Sequence, residues 1–148
     1  MSILLENKKI YFDYEILEKF EAGLQLRGWE VKSLKNKRGS LAGARVIVRG
    51  GEVFLVGLDI LLYQPQNMPD NFEKQRTIKL LVQKKEINYL EGKSKEKRLT
   101  IMPLKLYTKT GKVKLEIALV RGKKKFEKRE KIKKRETERN IERLLKRG

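Results

Sequence analysis

The chain has 148 residues, which fits one domain with a core and one appendage. It contains no Cys and no His, and this removes disulfides, thiolate nucleophiles, cysteine-zinc sites, the usual general base and the commonest transition-metal ligand. Its net charge is +18, from 37 Lys and Arg against 19 acids, a field that favours a polyanion, either nucleic acid or an anionic membrane.

Half of that excess, +9, lies between Arg121 and Gly148, where 14 basic residues stand against 5 acidic ones. No run is apolar for long enough to cross a membrane. The start, "MSILLENKK", lacks the extended apolar core of a secretory signal, and the missing cysteine suits a cytoplasmic protein.

In chain order, the first clear element is 14–26, "YEILEKFEAGLQL". Tyr14, Ile16, Phe20, Ala22, Leu24 and Leu26 share one parity, while Glu15, Lys19, Glu21 and Gln25 share the other, which predicts a half-buried strand. Gly23 predicts a bulge or sharp bend within it, and Gly28 its end. "WEVKSLKNK" reads as a short helix. Residues 44–56, "ARVIVRGGEVFLV", form a hairpin, two β-branched runs around Gly50-Gly51. Residues 64–75 form a loop with two prolines. "TIKLLV" is a strand, and "KKEINYLEGKSKEK" has helical spacing at Ile87 and Leu90. Residues 99–120 form a second hairpin with Lys-Thr-Gly-Lys at its tip. The body is then mainly β with short helices, about six antiparallel strands of a size that can hide its edges by closing into a small barrel.

The apolar alternation stops at Val120. Beyond Gly122 the large apolar residues are Phe126, Ile132, Ile141, Leu144 and Leu145, too few and too scattered to dock a helix on a core. Glu127-Lys131, Glu130-Lys134 and Glu142-Lys146 are acid-then-base pairs four apart, and Lys131, Arg135, Arg139, Arg143 and Arg147 recur every four residues. The spacing predicts a fraying helix in the free protein and a full one against an anionic partner.

The residues offer no catalytic constellation, and the chain reads as no enzyme. No GxxxxGK[ST] loop is present, and Ser33, Ser40 and Ser94 have no evident base. Glu21 and Glu30 pair only if the tertiary fold brings them together, and the acids read as solvated surface charges. No cofactor or metal is expected. Trp29, Phe54 and Tyr107 lie beside regular apolar patterns and read as core. Phe126, flanked by cations, either stacks on a base or is a simple exposed residue.

Four stretches carry a family resemblance: "NKKIYFDYEILEKFEAGLQLRGWEVKSLKNKRGSL", "GEVFLVGLDI", "RTIKLLVQKKEI" and "LTIMPLKLYTKTGKVKLEIALVRGKKKFEKRE". Together, from Asn7 to about Lys146, they resemble the small protein B family, the SsrA-binding proteins of bacterial ribosome rescue (trans-translation). The resemblance implies a six-stranded antiparallel closed barrel with an OB-fold-like core over 1–122. It implies a basic tail over 123–148, disordered when free and helical on the ribosome. The implied function is an adaptor without chemistry. It binds the tRNA-like domain of transfer-messenger RNA (tmRNA), delivers it to stalled ribosomes and places the tail in the empty mRNA channel near the decoding centre. The implied partners are tmRNA, the ribosome including 16S rRNA, and elongation factor Tu through aminoacylated tmRNA, for a monomer with no membrane contact.

Asn7, Glu21, Leu81 and Lys112 match positions the family uses for tmRNA, and the RNA face extends to Lys8, Arg76 and Lys79. A carboxylate at Glu21 makes sense as an acceptor for base N–H groups or a 2′-hydroxyl, and Lys112 as a phosphate contact. Gly122, Lys123, Lys124, Phe126, Lys128 and Arg129 match the start of the family's tail, with Lys131, Arg135 and Arg139 continuing it. The chain departs from the family pattern at Phe12, where a His is usual, at Ile78, where an Arg is usual, at Glu127, where an Asp is usual, and in "SLAGARV" around Ala44. The alternative reading is a general single-strand binder on an OB-like frame, which would expose several stacking aromatics that this chain has few of. An RNA-acting enzyme is argued against by the missing His, Cys and acid cluster.

Overall fold

The computed structural model describes residues 2–61 and 76–123. In chain order the elements are β1 (Ser2–Glu6), α1 (Lys9–Asp13), β2 (Tyr14–Leu24), α2 (Gly28–Lys35), β3 (Gly39–Ser40), β4 (Arg45–Arg49), β5 (Glu52–Val56), β6 (Asp59–Ile60), β7 (Ile78–Leu81), α3 (Lys84–Ser94), β8 (Leu99–Lys109) and β9 (Lys112–Gly122). The predicted loop at 64–75 and the tail from Lys124 onward lie outside the described residues.

Both expected hairpins form. Arg49 faces Glu52 across Gly50 (φ 60°) and Gly51 (φ 75°), two left-handed positions that glycine occupies without a Cβ penalty. Lys109 faces Lys112 across Thr110 and Gly111 in the same way. All pairings are antiparallel. The main sheet runs β1-β8-β4-β5-β7-β2-β9, and β9 pairs again with β8, so six strands close into a ring. β1 was not foreseen. It adds to the far end of β8, pairing Ile3 with Tyr107 and Glu6 with Lys105.

Besides a shift in β1 between Ile3 and Leu5, two irregularities decide which face the apolar residues of β8 and β2 serve. Pro103 has no N–H for the ladder, and the β8–β9 register shifts between Pro103 and Lys105, leaving Leu104 as the extra residue. The Leu104 carbonyl accepts the Asn7 N–H at 2.8 Å, and its side chain lies in a small outer cluster with Ile10, Ala118 and Val120. A second shift, in β2 between Ile16 and Glu18, leaves Leu17 over. Tyr14 and Ile16 therefore pack in the outer cluster under α1, while Phe20, Ala22 and Leu24 join the main core. The bulge expected at Gly23 is not there. Gly23 pairs in register with both Leu81 and Lys114, and a Cβ on it would press on the Leu81 Cβ at 3.3 Å, so the missing side chain serves close packing.

The main core is built from alternate residues: Val113, Leu115, Ile117 and Leu119 of β9, Val53 and Leu55 of β5, Ile78 and Leu80 of β7, with Leu34 of α2 and Leu90 of α3 plugging it. Gly57 closes the chain back after β5 at φ +83°, with the Gly43 carbonyl oxygen 2.9 Å from where a Cβ would sit. Gly57→Ala combines left-handed strain with a backbone clash, and is expected to destabilise by about 2 kcal/mol, read from the denaturation midpoint.

Candidate nucleic-acid interface

The strands that supply inward Val113, Leu115 and Leu80 present their other parity outward, and this sets the interface. Lys112, Lys114 and Glu116 of β9, Glu21 and Gly23 of β2, and Lys79 and Leu81 of β7 share that outer face by register. Beside the β8–β9 turn, Gly23, Leu81, Gly111, Lys112 and Lys114 line an open groove of about 370 Å³. A second groove, with Lys79, Glu52 and Gln83 on its walls, shares Leu81 with the first. Leu81 is 50% exposed, an apolar ridge between two concave surfaces rimmed by lysines. Lys79 is tied to Glu52 at 3.2 Å, whereas Lys112 and Lys114 have no ion pair among the described residues.

Glu21 stands next to this groove. Its Oε2 accepts from the Tyr107 hydroxyl at 2.5 Å and from Lys109 Nζ at 3.3 Å. The Tyr107 hydrogen bond, helped by Lys109 and Lys114, holds the Glu21 carboxyl below the usual carboxylate range, so it is charged at neutral pH. The same contact, after burial, pushes the Tyr107 phenol up, so Tyr107 stays a donor. Tyr107 is buried, as expected, yet its polar end reaches the surface. Glu30 overturns the expectation of solvated acids. It is fully buried and paired with Arg76, far in sequence from the Glu21 contacts.

The family described as SmpB protein matches residues 4–147. The chain belongs to the SmpB protein family. It is 50% identical over 145 residues to the SsrA-binding protein of Syntrophobacter fumaroxidans, covering 98% of this chain and 89% of that one. It is 48% identical over 149 residues to the SsrA-binding protein of Thermosipho africanus, covering 100% and 99%. A chain from the solved structure described as "tmRNA-SmpB: a journey to the center of the bacterial ribosome" superposes with a TM-score of 0.69 at 40% identity, over 84% of this chain and 87% of that chain.

The residues that the SmpB resemblance singled out do not all meet. Leu81 and Lys112 line the first groove, Glu21 stands beside it, and Lys79 lines the second groove, which shares Leu81. Asn7 follows Glu6, which lies in one cross-strand row with Lys105, Glu116 and Glu21, so Asn7 and Lys8 stand roughly 14 Å away at the spacing of neighbouring strands. Asn7 ties down a corner, its Nδ2 donating to the Leu41 carbonyl at 3.4 Å and its backbone N–H to Leu104. Lys8 is exposed at the start of α1. Arg76 lies behind the groove, bonded to residues next to its lining Leu24, Leu26 and Val31. Its guanidinium donates to both Glu30 oxygens, at 2.7 and 2.6 Å, and to the Gln25 carbonyl at 2.9 Å. Ile78, a departure from the SmpB pattern, is fully buried, so that change alters packing and not a surface contact. Ala44 is buried as well.

The groove and the start of the tail are at opposite ends of β9. From Lys114 to Gly122 the strand spans roughly 26 Å at about 3.3 Å per residue. Gly122 is gripped on both sides by Arg98, whose carbonyl takes the Gly122 N–H at 3.3 Å and whose Nη2 donates to the Gly122 carbonyl at 2.6 Å. The Lys123 N–H donates to the Asp13 carbonyl at 3.2 Å. Lys124, Phe126, Lys128, Arg129, Lys131, Arg135 and Arg139 lie outside the described residues. Sequence reasoning missed Lys109, Lys114 and Arg98. Lys114 was accessible to it, since it shares the outward parity of Lys112. Lys109 and Arg98 were not, because their partners, Glu21 and Gly122, lie 88 and 24 residues away.

Proposed function

We propose that the protein is an RNA-binding adaptor of ribosome rescue. It binds the tRNA-like domain of tmRNA, delivers it to stalled ribosomes and sets its C-terminal tail in the empty mRNA channel near the decoding centre. The reading rests on Leu81 and Lys112 lining one outer groove, with Glu21 beside it, in a chain whose relatives of similar length are named SsrA-binding proteins. The ring of six strands serves as a closed barrel with an OB-fold-like core over 1–122, and 123–148 is the ribosome-binding segment.

Each part has its own task. Lys112, joined by Lys114, meets phosphate by salt-sensitive attraction, and Lys79 and Lys8 add to the same field. Leu81 lies against a sugar or base face, and Glu21 accepts from a neutral RNA donor, fixing register. Asn7 acts from the corner it holds, and Arg76 supports the rim through Glu30. From Gly122, Lys123 and Lys124 onward the tail meets 16S rRNA through its basic stripe and Phe126. Elongation factor Tu joins through the aminoacylated RNA, and the protein acts as a monomer in the cytoplasm.

A competition assay tests this against general single-strand binding. The tRNA-like domain of tmRNA is expected to displace labelled tmRNA about a thousandfold more effectively than unstructured RNA of equal length in physiological salt, a ratio at the low end for specific over non-specific recognition. Equal competition sinks the adaptor reading.

A further inference from the structure

Glu21 presents an asymmetric carboxylate. Both of its hydrogen bonds go to Oε2, from the Tyr107 hydroxyl and Lys109 Nζ, and Oε1 has no partner among the described residues. The Tyr107 ring is only 4% exposed and fixed on β8 between Ile3 of β1 and Lys114 of β9 by register, so its hydroxyl has little freedom. The Tyr107 hydroxyl makes no other hydrogen bond among the described residues. A buried phenol whose one polar contact is a surface carboxylate constrains that carboxylate's rotation.

We infer that Tyr107 is a positioning residue for RNA recognition: it locks Glu21 so that Oε1 alone is offered, as an acceptor for one neutral RNA donor, a base N–H or a ribose 2′-hydroxyl. The inference rests on the proposed role of Glu21 and adds the residue that orients it. A phosphate is the wrong ligand for this atom because two anions repel. The flanking cations, Lys109 of β8 and Lys112 and Lys114 of β9, take the neighbouring phosphates instead. The other charged group facing Glu21 is Glu116, its cross-strand neighbour on β9, which is drawn to Lys19 at 3.7 Å.

Tyr107→Phe removes the hydroxyl and keeps the ring in its seat. Binding of the tRNA-like domain of tmRNA is expected to weaken by up to about tenfold, the cost of ordering one freed side chain on binding, with the salt slope unchanged because no phosphate contact is removed. In Glu21→Ala, adding Tyr107→Phe is expected to change nothing further. In the free protein the Glu21 carboxyl titration, followed by NMR, is expected to move upward toward the ordinary carboxylate value, since the largest cause of its depression is gone. A purely structural role for Tyr107 would not produce that pairing of results.

The donor is identified by RNA carrying either 2′-deoxyribose or bases stripped of their N–H donors, exocyclic amino and ring N–H alike, at the footprinted nucleotides. One of the two modifications is expected to erase the difference between wild type and Tyr107→Phe, and the inference fails if neither does. Wild-type binding by Tyr107→Phe while Glu21→Ala binds weakly overturns the positioning role alone. Wild-type binding by Glu21→Ala overturns both that role and the RNA-binding role of Glu21 beneath it.

Discussion

A chain stopped after Gly122 is expected to fold, to bind the tRNA-like domain of tmRNA within about threefold of the full protein, and to lose peptide tagging on stalled ribosomes altogether. The reason is spatial. Among the described residues both apolar clusters reach no further than Val120, and Gly122 is held by Arg98 through its own N–H and carbonyl, so the described core has its contacts in place by the end of β9. The groove, whose near edge on β9 is Lys114, lies roughly 26 Å from Gly122 along the strand. What the truncation removes is positive field, so the salt dependence of RNA binding should flatten while the affinity at physiological salt changes little. Circular dichroism melting, a binding titration at three salt concentrations and a tagging assay on ribosomes stalled without a stop codon read the three outcomes. Normal tagging by the truncated chain would remove the tail from the mechanism.

Arg76→Ala is expected to cost about 3 kcal/mol of stability, the low end for breaking a buried pair by removing one partner. Glu30 has no exposed side-chain surface, and its Oε1 and Oε2 are occupied by Arg76 at 2.6 and 2.7 Å, with the Arg27 N–H also on Oε1 at 2.6 Å. Without the guanidinium, a carboxylate remains buried with one backbone donor. Arg76→Lys is expected to recover only part, because an ammonium cannot span both oxygens and the Gln25 carbonyl together. Urea denaturation measures both. RNA binding, compared at temperatures where each variant is folded, should then fall less than for Lys112→Ala. An Arg76→Ala protein as stable as wild type would show that the pair does not hold α2 to the start of β7.

The comparison of sequence with structure turns on particular residues. The hairpins at Gly50-Gly51 and Thr110-Gly111 were legible because a two-residue turn with positive φ leaves a local signature, glycine between β-branched runs. α2 and α3 were legible from apolar spacing. Parity over 14–26 was also correct residue by residue, but it implied one buried face where there are two. The bulge at Leu17 hands Tyr14 and Ile16 to the cluster under α1 and Phe20 onward to the main core. No turn residue marks Leu17, so nothing local announces the change of face. β1 escaped notice because five residues with three apolar ones form a strand only when the free edge of β8 is there to pair with them.

By itself the sequence determined that this is a β-rich, strongly basic protein without His or Cys chemistry, that its alternation ends where its charge run begins, and that long ordered motifs place it with a ribosome-rescue family. These properties are local or compositional, and each can be read within a window of a few residues or as a count. The tertiary structure decided which of the singled-out residues share a surface. It set Leu81 and Lys112 on one groove with Glu21 beside it and Lys79 on the adjoining groove, put Asn7 three strands from Glu21, and turned Arg76 toward a buried Glu30. Those partnerships join residues 46 to 88 positions apart, as in Glu30 with Arg76 and Glu21 with Tyr107 and Lys109. Strand register brings them together, and register is fixed by the closing of the ring, a property of the whole chain that no single stretch of it contains.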